Sequence, residues 1–419
     1  MNSPFTQLPT TRREFFQWGG RGLGLLAFSR FAPSFLVESA LASTPAPEKD
    51  RSILVLVQLA GGNDGLNTVI PFEDADYYRL RPTLGIPKDE VLRINDTLGF
   101  NPACLALHSL LKDGKLGIVQ NVGYPNPNRS HFRSTEIWET ASGSNESLTS
   151  GWIGRYLDNA CAGAPAAADS DPVAIHATGE TPQSFMSEQT HPTFGLSLGY
   201  GNGRQQQQRQ NLTLLKQLAQ HDDHHENANA SFLKATLMDA LVTEQKVQGI
   251  LADYAPAGAY PGNPFATSLR NVAALIAAGL PTRVYFVSLG GFDNHSAQLT
   301  PHTNNLLLLS EALAAFQHDL EAKHLDGQVL TMTFSEFGRR PSENQSRGTD
   351  HGTAAPLFVM GSKLKGSLFG TAPSLNLPKN QDLTFSTDFR QVYATVLDKW
   401  MQCPSDKVLG QSYSPLGFL

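Results

Sequence analysis

Asp293 and His295 stand two positions apart in GGFDNHSAQ, directly after the apolar run VYFVSL. A solvated turn accommodates such a pair, but a carboxylate and an imidazole are also the donors that ligate a divalent cation. The pattern recurs at remote points of the chain. Asn63 and Asp64 follow ILVLVQL through two glycines, and Ser130 and His131 stand in NPNRSHF after LGIVQNVG. Glu336 follows QVLTMTF in SEFGRR, and Asp350 and His351 precede PLFVMG in GTDHG. Oxygen and imidazole donors without a thiolate suit Zn²⁺, Mn²⁺ or Fe better than Mg²⁺ or Ca²⁺. The set offers enough ligands for one or two ions, and two close together would clamp the attacking and leaving oxygens of a displacement.

Those residues need a scaffold that gathers them. Strand-like runs at 53–59, 116–123, 172–179, 282–289, 328–338 and 356–361 alternate with helical patterns near 229–253, 263–279, 303–322 and 388–401. The alternation predicts an α/β fold: a doubly wound, mostly parallel sheet with helices on both faces. In such a sheet the loops beyond the carboxyl ends of the strands line one crevice. Five sequence-remote polar clusters are therefore expected on one edge. Glycines beside Asp64, Asp293 and His351 allow the backbone to approach closely there.

The first residues read as an address. Thr11-Arg12-Arg13-Glu14-Phe15-Phe16, a weakly apolar stretch from Gly22 to Phe28, and Ala40-Leu41-Ala42 form a twin-arginine export signal over residues 1–42. Residues 43–419 are expected as one α/β domain, exported folded by the twin-arginine translocase to the periplasm or beyond. Arg30 interrupts the apolar stretch, so no stable membrane span is expected. A net charge of -6 excludes the basic footprint of a nucleic-acid binder. Cys104, Cys161 and Cys403 lack metal-site spacing and do not form a disulfide framework. His221, His224 and His225, with Asp222 and Asp223, read as a solvated helix end.

AGGNDGLNTVIP, RSHF, GGFDNHSAQ, SEFGRRPSEN and GTDHGTAAPLFVMG, in this order behind a twin-arginine signal, resemble the bacterial "domain of unknown function 1501" proteins. That family is placed by fold in the alkaline phosphatase and sulfatase superfamily. The resemblance implies a metal site at the carboxyl ends of the strands. It makes Asp64 the first carboxylate ligand and Ser130 the nucleophile. Asp293 and His295 become ligands of one metal, Glu336 of the other, and His351 the late histidine ligand. Asn63, His131 and Asp350 are then neighbours of the ligands. Two positions depart from the pattern: Asn294 stands where a threonine is usual, and Phe337 where the second metal receives a histidine. Phe cannot ligate, and His131 is the imidazole available to compensate.

The resulting expectation is an exported metal-dependent hydrolase of phosphate or sulfate esters, acting on a small-molecule or polymer substrate. Ser130, or a water, would attack, and Arg339 would meet charge on the substrate. Ser130 is equally an N-cap in its sequence context. The alternative, to which Phe337 points, is a non-catalytic metal-binding or scaffold protein of the cell envelope with the same fold.

Overall fold

The computed structural model describes residues 51–159, 171–196, 243–378 and 380–419. The export segment, Cys161, the run from His221 to His225 and the first part of the helix expected over 229–253 lie outside the described residues; residues 243–253 are helical. In chain order the strands are β1 (Ile53–Leu59), β2 (Val69–Ile70), β3 (Leu92–Arg93), β4 (Gly99–Phe100), β5 (Leu116–Gly123), β6 (Ala174–Ala177) and β7 (Thr193–Gly195). There follow β8 (Val284–Leu289), β9 (Val329–Phe334), β10 (Ala355–Met360), β11 (Leu368–Phe369) and β12 (Thr387–Asp388).

Nine strands form the main sheet in the order β11-β5-β10-β9-β1-β8-β6-β7, with β12 also paired to β5. Every pairing is parallel except those of β10, which runs antiparallel to both β5 and β9. The fold is thus α/β with a mostly parallel sheet. The reversal of β10 matters for the site. Residues that precede an antiparallel strand lie on the same edge as residues that follow its parallel neighbours. His351 thereby joins the loops after β1, β5, β8 and β9. β2, β4 and β3 make a small separate antiparallel sheet.

β1 shows why the sheet is covered on both faces, as a parallel sheet requires. Ile53, Val55, Val57 and Leu59 belong to one apolar cluster, and Leu54 and Leu56 to another. The first cluster takes in helices α2 (Leu105–Lys112), α5 (Pro264–Ala277) and α6 (Leu299–Ala322), numbered after the short α1 (Ala75–Leu80). The second takes in α3 (His131–Thr140), α4 (Trp152–Asp158) and α7 (Phe389–Thr395). Each fully buried Val or Leu contributes about 1.5–3 kcal/mol over its exposed state, so this one strand anchors both layers. Local signals agree with the packing. Asn263 caps α5, with Pro264 at the first helical position, and Asp388 and Gln391 form a capping box on α7. Among the described residues no helix is long and apolar enough to cross a membrane.

The two glycines after β1 are required by the edge itself. Gly61 and Gly62 have φ of +116° and +80°. A Cβ on Gly61 would lie 2.4 Å from the Asp293 backbone nitrogen, and one on Gly62 would lie 2.4 Å from the Phe337 ring. Gly61→Ala should therefore combine backbone strain of about 1–3 kcal/mol with a displaced β8 loop. Gly114, at φ +69° with nothing near its Cβ position, carries the strain alone. Denaturant unfolding of both alanine variants checks this; equal loss of stability would remove the close-approach explanation.

Candidate metal centre

Two loop segments at the sheet edge zip together. The Gly352 N–H donates to the Gly338 carbonyl at 2.7 Å, and the Arg340 N–H donates to the Asp350 carbonyl at 2.9 Å. His351 is held opposite Arg339 in the resulting bridge. The turn after β8 presents Asp293, its side chain 47% exposed, to the same spot. His131 arrives as the first residue of α3.

The imidazoles share one arrangement. His351 Nδ1 lies 2.7 Å from the Arg129 carbonyl oxygen, which can only accept, so Nδ1 carries the hydrogen. His131 Nδ1 lies 2.9 Å from Glu336 Oε1, an oxygen that also accepts the Gly61 N–H at 2.8 Å. His295 Nδ1 is 3.5 Å from Asp350 Oδ1. Every Nε2 is then turned towards Asp293: 3.1 Å to Oδ1 from His351, 3.0 Å to Oδ1 from His295, and 3.5 Å to Oδ2 from His131. Anchoring Nδ1 on a carboxylate or carbonyl is how proteins fix the tautomer of a metal-binding histidine.

The charge states fit a cation. Burial works against ionisation of Asp293, but the hydrogen bond and the charge of Arg339 hold it down at about 2. Burial lowers the pKa of His351 despite its hydrogen bond to the Arg129 carbonyl. A neutral His351 with its hydrogen on Nδ1 has a bare lone pair on Nε2. That lone pair faces an ionised oxygen at 3.1 Å and the His295 Nε2 at 2.9 Å. Such acceptors repel one another, and a divalent ion between them removes the conflict. Tetrahedral bonds of about 2.0–2.2 Å place ligand atoms roughly 3.3–3.6 Å apart, close to the separations present. His131, Asp293 and His351 offer ligand atoms within 4.8 Å of one another. Glu336 is 2% exposed and its Oε2 has no hydrogen-bond partner, an orphaned acceptor beside this group. Phe337, also buried, stacks on His351 with ring centres 4.3 Å apart and contacts the His131 ring at 4.9 Å. Among the described residues no second group of this kind occurs.

Several sequence expectations are corrected by these positions. Asp64 does not join the cluster. Its oxygens receive Arg81 Nη1 at 2.6 Å and Nη2 at 2.8 Å in a fully buried bidentate pair, and Gln298 donates to the same carboxylate. Burial opposes ionisation of Asp64, and Arg81 outweighs it and lowers the pKa. Asn63 belongs to that layer too, accepting from Thr68 and contacting His302. Burial brings His302 down to about 4, against the pull of the Asp64 charge, so it is neutral there. Arg339 is not open to substrate. Its guanidinium is buried and donates to Gly62, Thr349, Phe292 and Gly61 carbonyls as well as to Asp293. Glu336 and His131 exchange the expected parts: the histidine faces Asp293, and the carboxylate orients it. Ser130 caps α3 by backbone position, but its hydroxyl makes no capping hydrogen bond. Arg81 carried no sequence signal; it lies in YYRLRPT, which holds no motif.

Residues 109–409 match the family model described as "Protein of unknown function (DUF1501)". The chain belongs to that family. This DUF1501 protein is similar in structure to the C-terminal periplasmic domain of EptC from Escherichia coli, at 10% identity and TM-score 0.32, covering 76% of this chain and 75% of that one. It is similar to the alkaline phosphatase of the Antarctic bacterium TAB5, at 11% identity and TM-score 0.28, covering 75% and 92%. It is also similar to the phosphonate monoester hydrolase SpPMH from Silicibacter pomeroyi, at 11% identity and TM-score 0.31, covering 87% and 78%. No curated protein matches the DUF1501 chain in sequence. Likenesses at these scores carry no weight for its activity, which must be read from the site.

The geometry separates ligands from struts. His351→Ala and His131→Ala should each strip the metal from the purified protein while leaving the fold intact. Asp64→Asn should keep the metal but cost about 3–5 kcal/mol of stability, because it strands the buried Arg81. The Asp64 carboxyl titrates lower when folded than when unfolded. Its stabilisation is therefore present above the unfolded value of about 3.9 and is lost as pH falls through the folded one. Elemental analysis beside denaturant melts reads both effects; metal loss without destabilisation in Asp64→Asn would return Asp64 to the ligand set.

Proposed function

We propose that this DUF1501 protein is an exported, metal-dependent hydrolase of phosphate or sulfate esters. The observation that carries the reading is the convergence of three Nδ1-anchored imidazoles on the ionised Asp293. His131, Asp293 and His351 would hold the ion, with His295 beside them. A bound Zn²⁺, Mn²⁺ or Fe would supply Lewis acidity, lowering the pKa of a hydroxyl or water and drawing charge off an ester oxygen. The remaining work belongs to the chain. Glu336 and the Arg129 carbonyl keep the Nδ1 hydrogens of His131 and His351, which leaves both Nε2 lone pairs facing the place an ion would take. Arg339 holds Asp293 in place and ionised.

Ser130 is the candidate nucleophile. It sits between Arg129, whose carbonyl receives His351, and His131, and its hydroxyl is not spent on capping the helix. Attack by that hydroxyl on phosphorus or sulfur would break the bond to the ester's alcohol, which leaves as the serine proton passes to solvent, and would form a seryl phosphate or sulfate that water then hydrolyses. A second reading, a metal-binding envelope protein without activity, is favoured by Phe337, which fills the side of the cluster where a further ligand would stand.

Turnover of an aryl phosphate and an aryl sulfate by the metal-replete protein tests the two. Ser130→Ala should abolish turnover, keep the metal, and change stability by less than about 0.5 kcal/mol, since a surface hydroxyl without a partner contributes little. A loss near 1 kcal/mol with activity intact would make Ser130 a cap only. No turnover by the unaltered protein over a panel of metals and esters would favour the envelope reading.

Export rests on the twin-arginine segment. Replacing Arg12 and Arg13 by lysine should leave the precursor in the cytoplasm, as fractionation would show; normal export of that variant would refute the address.

A further inference from the structure

Arg339 and Arg340 are neighbours in sequence and opposites in use. The guanidinium of Arg339 is spent on five oxygens. The side chain of Arg340 donates no hydrogen bond among the described residues; its Nε is buried without a partner, 3.5 Å from Asp382 Oδ1, which also lacks one. Arg129 approaches the same carboxylate from the other side, with Nη2 at 2.5 Å from Asp382 Oδ2 and its side chain 42% exposed. Two guanidinium groups therefore share one carboxylate and leave most of their donors unused.

Their place in the fold ties them to the histidines. The Arg129 carbonyl receives His351 Nδ1, and the Arg340 N–H bonds the carbonyl of Asp350, the residue before His351. Thr353, two residues after His351, donates to the Leu383 carbonyl beside Asp382. Arg129 also directly precedes Ser130 at the amino end of α3, where a helix favours negative charge.

We infer that Arg129 and Arg340, rather than the buried Arg339, recognise the tetrahedral oxyanion of the substrate, with Asp382 holding their forks in place until it binds. Planar guanidinium forks match phosphate and sulfate oxygens in pairs, which a lysine cannot do. The pair positions the ester beside Ser130 and makes a doubly charged phosphate the preferred ligand over a singly charged sulfate ester. The inference rests on the hydrolase reading for its substrate, but anion binding can be measured without turnover.

The test is calorimetric titration of inorganic phosphate into the metal-replete full chain at low ionic strength. Arg129→Ala and Arg340→Ala should each weaken phosphate binding about tenfold, the loss expected for a charge-assisted bond. Arg340→Lys should recover only part of it, which guards against a variant that merely fails to fold. Asp382→Asn, which frees both forks from a competing anion, should bind phosphate as tightly as the unaltered protein or more tightly. With an active ester, the arginine variants should raise KM more than they lower kcat. Unchanged phosphate affinity in the double arginine variant would overturn the inference. So would a loss in Asp382→Asn equal to that of the arginine variants, since the three residues would then be a structural strut. Phosphate binding that follows this pattern in a protein without ester turnover would refute the hydrolase reading and uphold the anion pair.

Discussion

One buried guanidinium organises the working edge of this protein. Arg339 leaves β9 and turns back under the loops, where it bonds carbonyls of Gly61 and Gly62 after β1, Phe292 after β8 and Thr349 before β10. Its remaining bond goes to Asp293 at 2.6 Å. A buried cation is tolerable only when its donors are satisfied, and here the acceptors come from three different connections. The loops thus cannot move independently of one another. The positive φ values of Gly61 and Gly62 follow from the same requirement, because the backbone must approach both Arg339 and Phe337.

That constraint also sets the electrostatics of the candidate metal centre. Asp293 is half exposed, yet it stays ionised because Arg339 approaches it from the buried side. The histidines surround it from the exposed side with their Nδ1 hydrogens already committed. Orientation is supplied by the layer beneath: Glu336 for His131, the Arg129 carbonyl for His351. Phe337 packs flat against His351 and limits its rotation. A site preformed in this way loses little conformational entropy when an ion enters. The aromatic side also narrows the centre, which suits one ion better than a pair.

Much of this was legible in the sequence, and for definable reasons. The strands show as short apolar runs closed by glycine and polar residues, and five such ends in an α/β chain converge by topology alone. Asp293, His295 and His351 were found that way, although the antiparallel course of β10, which places His351 with the others, was not visible in its composition. What the pattern could not decide was the direction of each side chain at the edge. Asp64 turns inward because Arg81, seventeen positions on, offers a bidentate partner, and nothing in YYRLRPT announces it. Arg339 and Arg340 differ by one position, so backbone alternation sends one beneath the site and one to its rim. Glu336 and His131 were both identified, but which of them faces Asp293 depends on the entry angle of α3. That angle is a matter of packing rather than of motif.

The central claim is that a divalent ion sits among His131, Asp293 and His351. It is tested most directly by an anomalous difference map from crystals of the metal-replete protein, recorded across the absorption edge of the metal found by elemental analysis. The account predicts one peak within about 2.0–2.2 Å of the Nε2 atoms of His131 and His351 and of an Asp293 oxygen. A peak bound by Asp64, or the absence of any peak at the edge of the sheet, would contradict it.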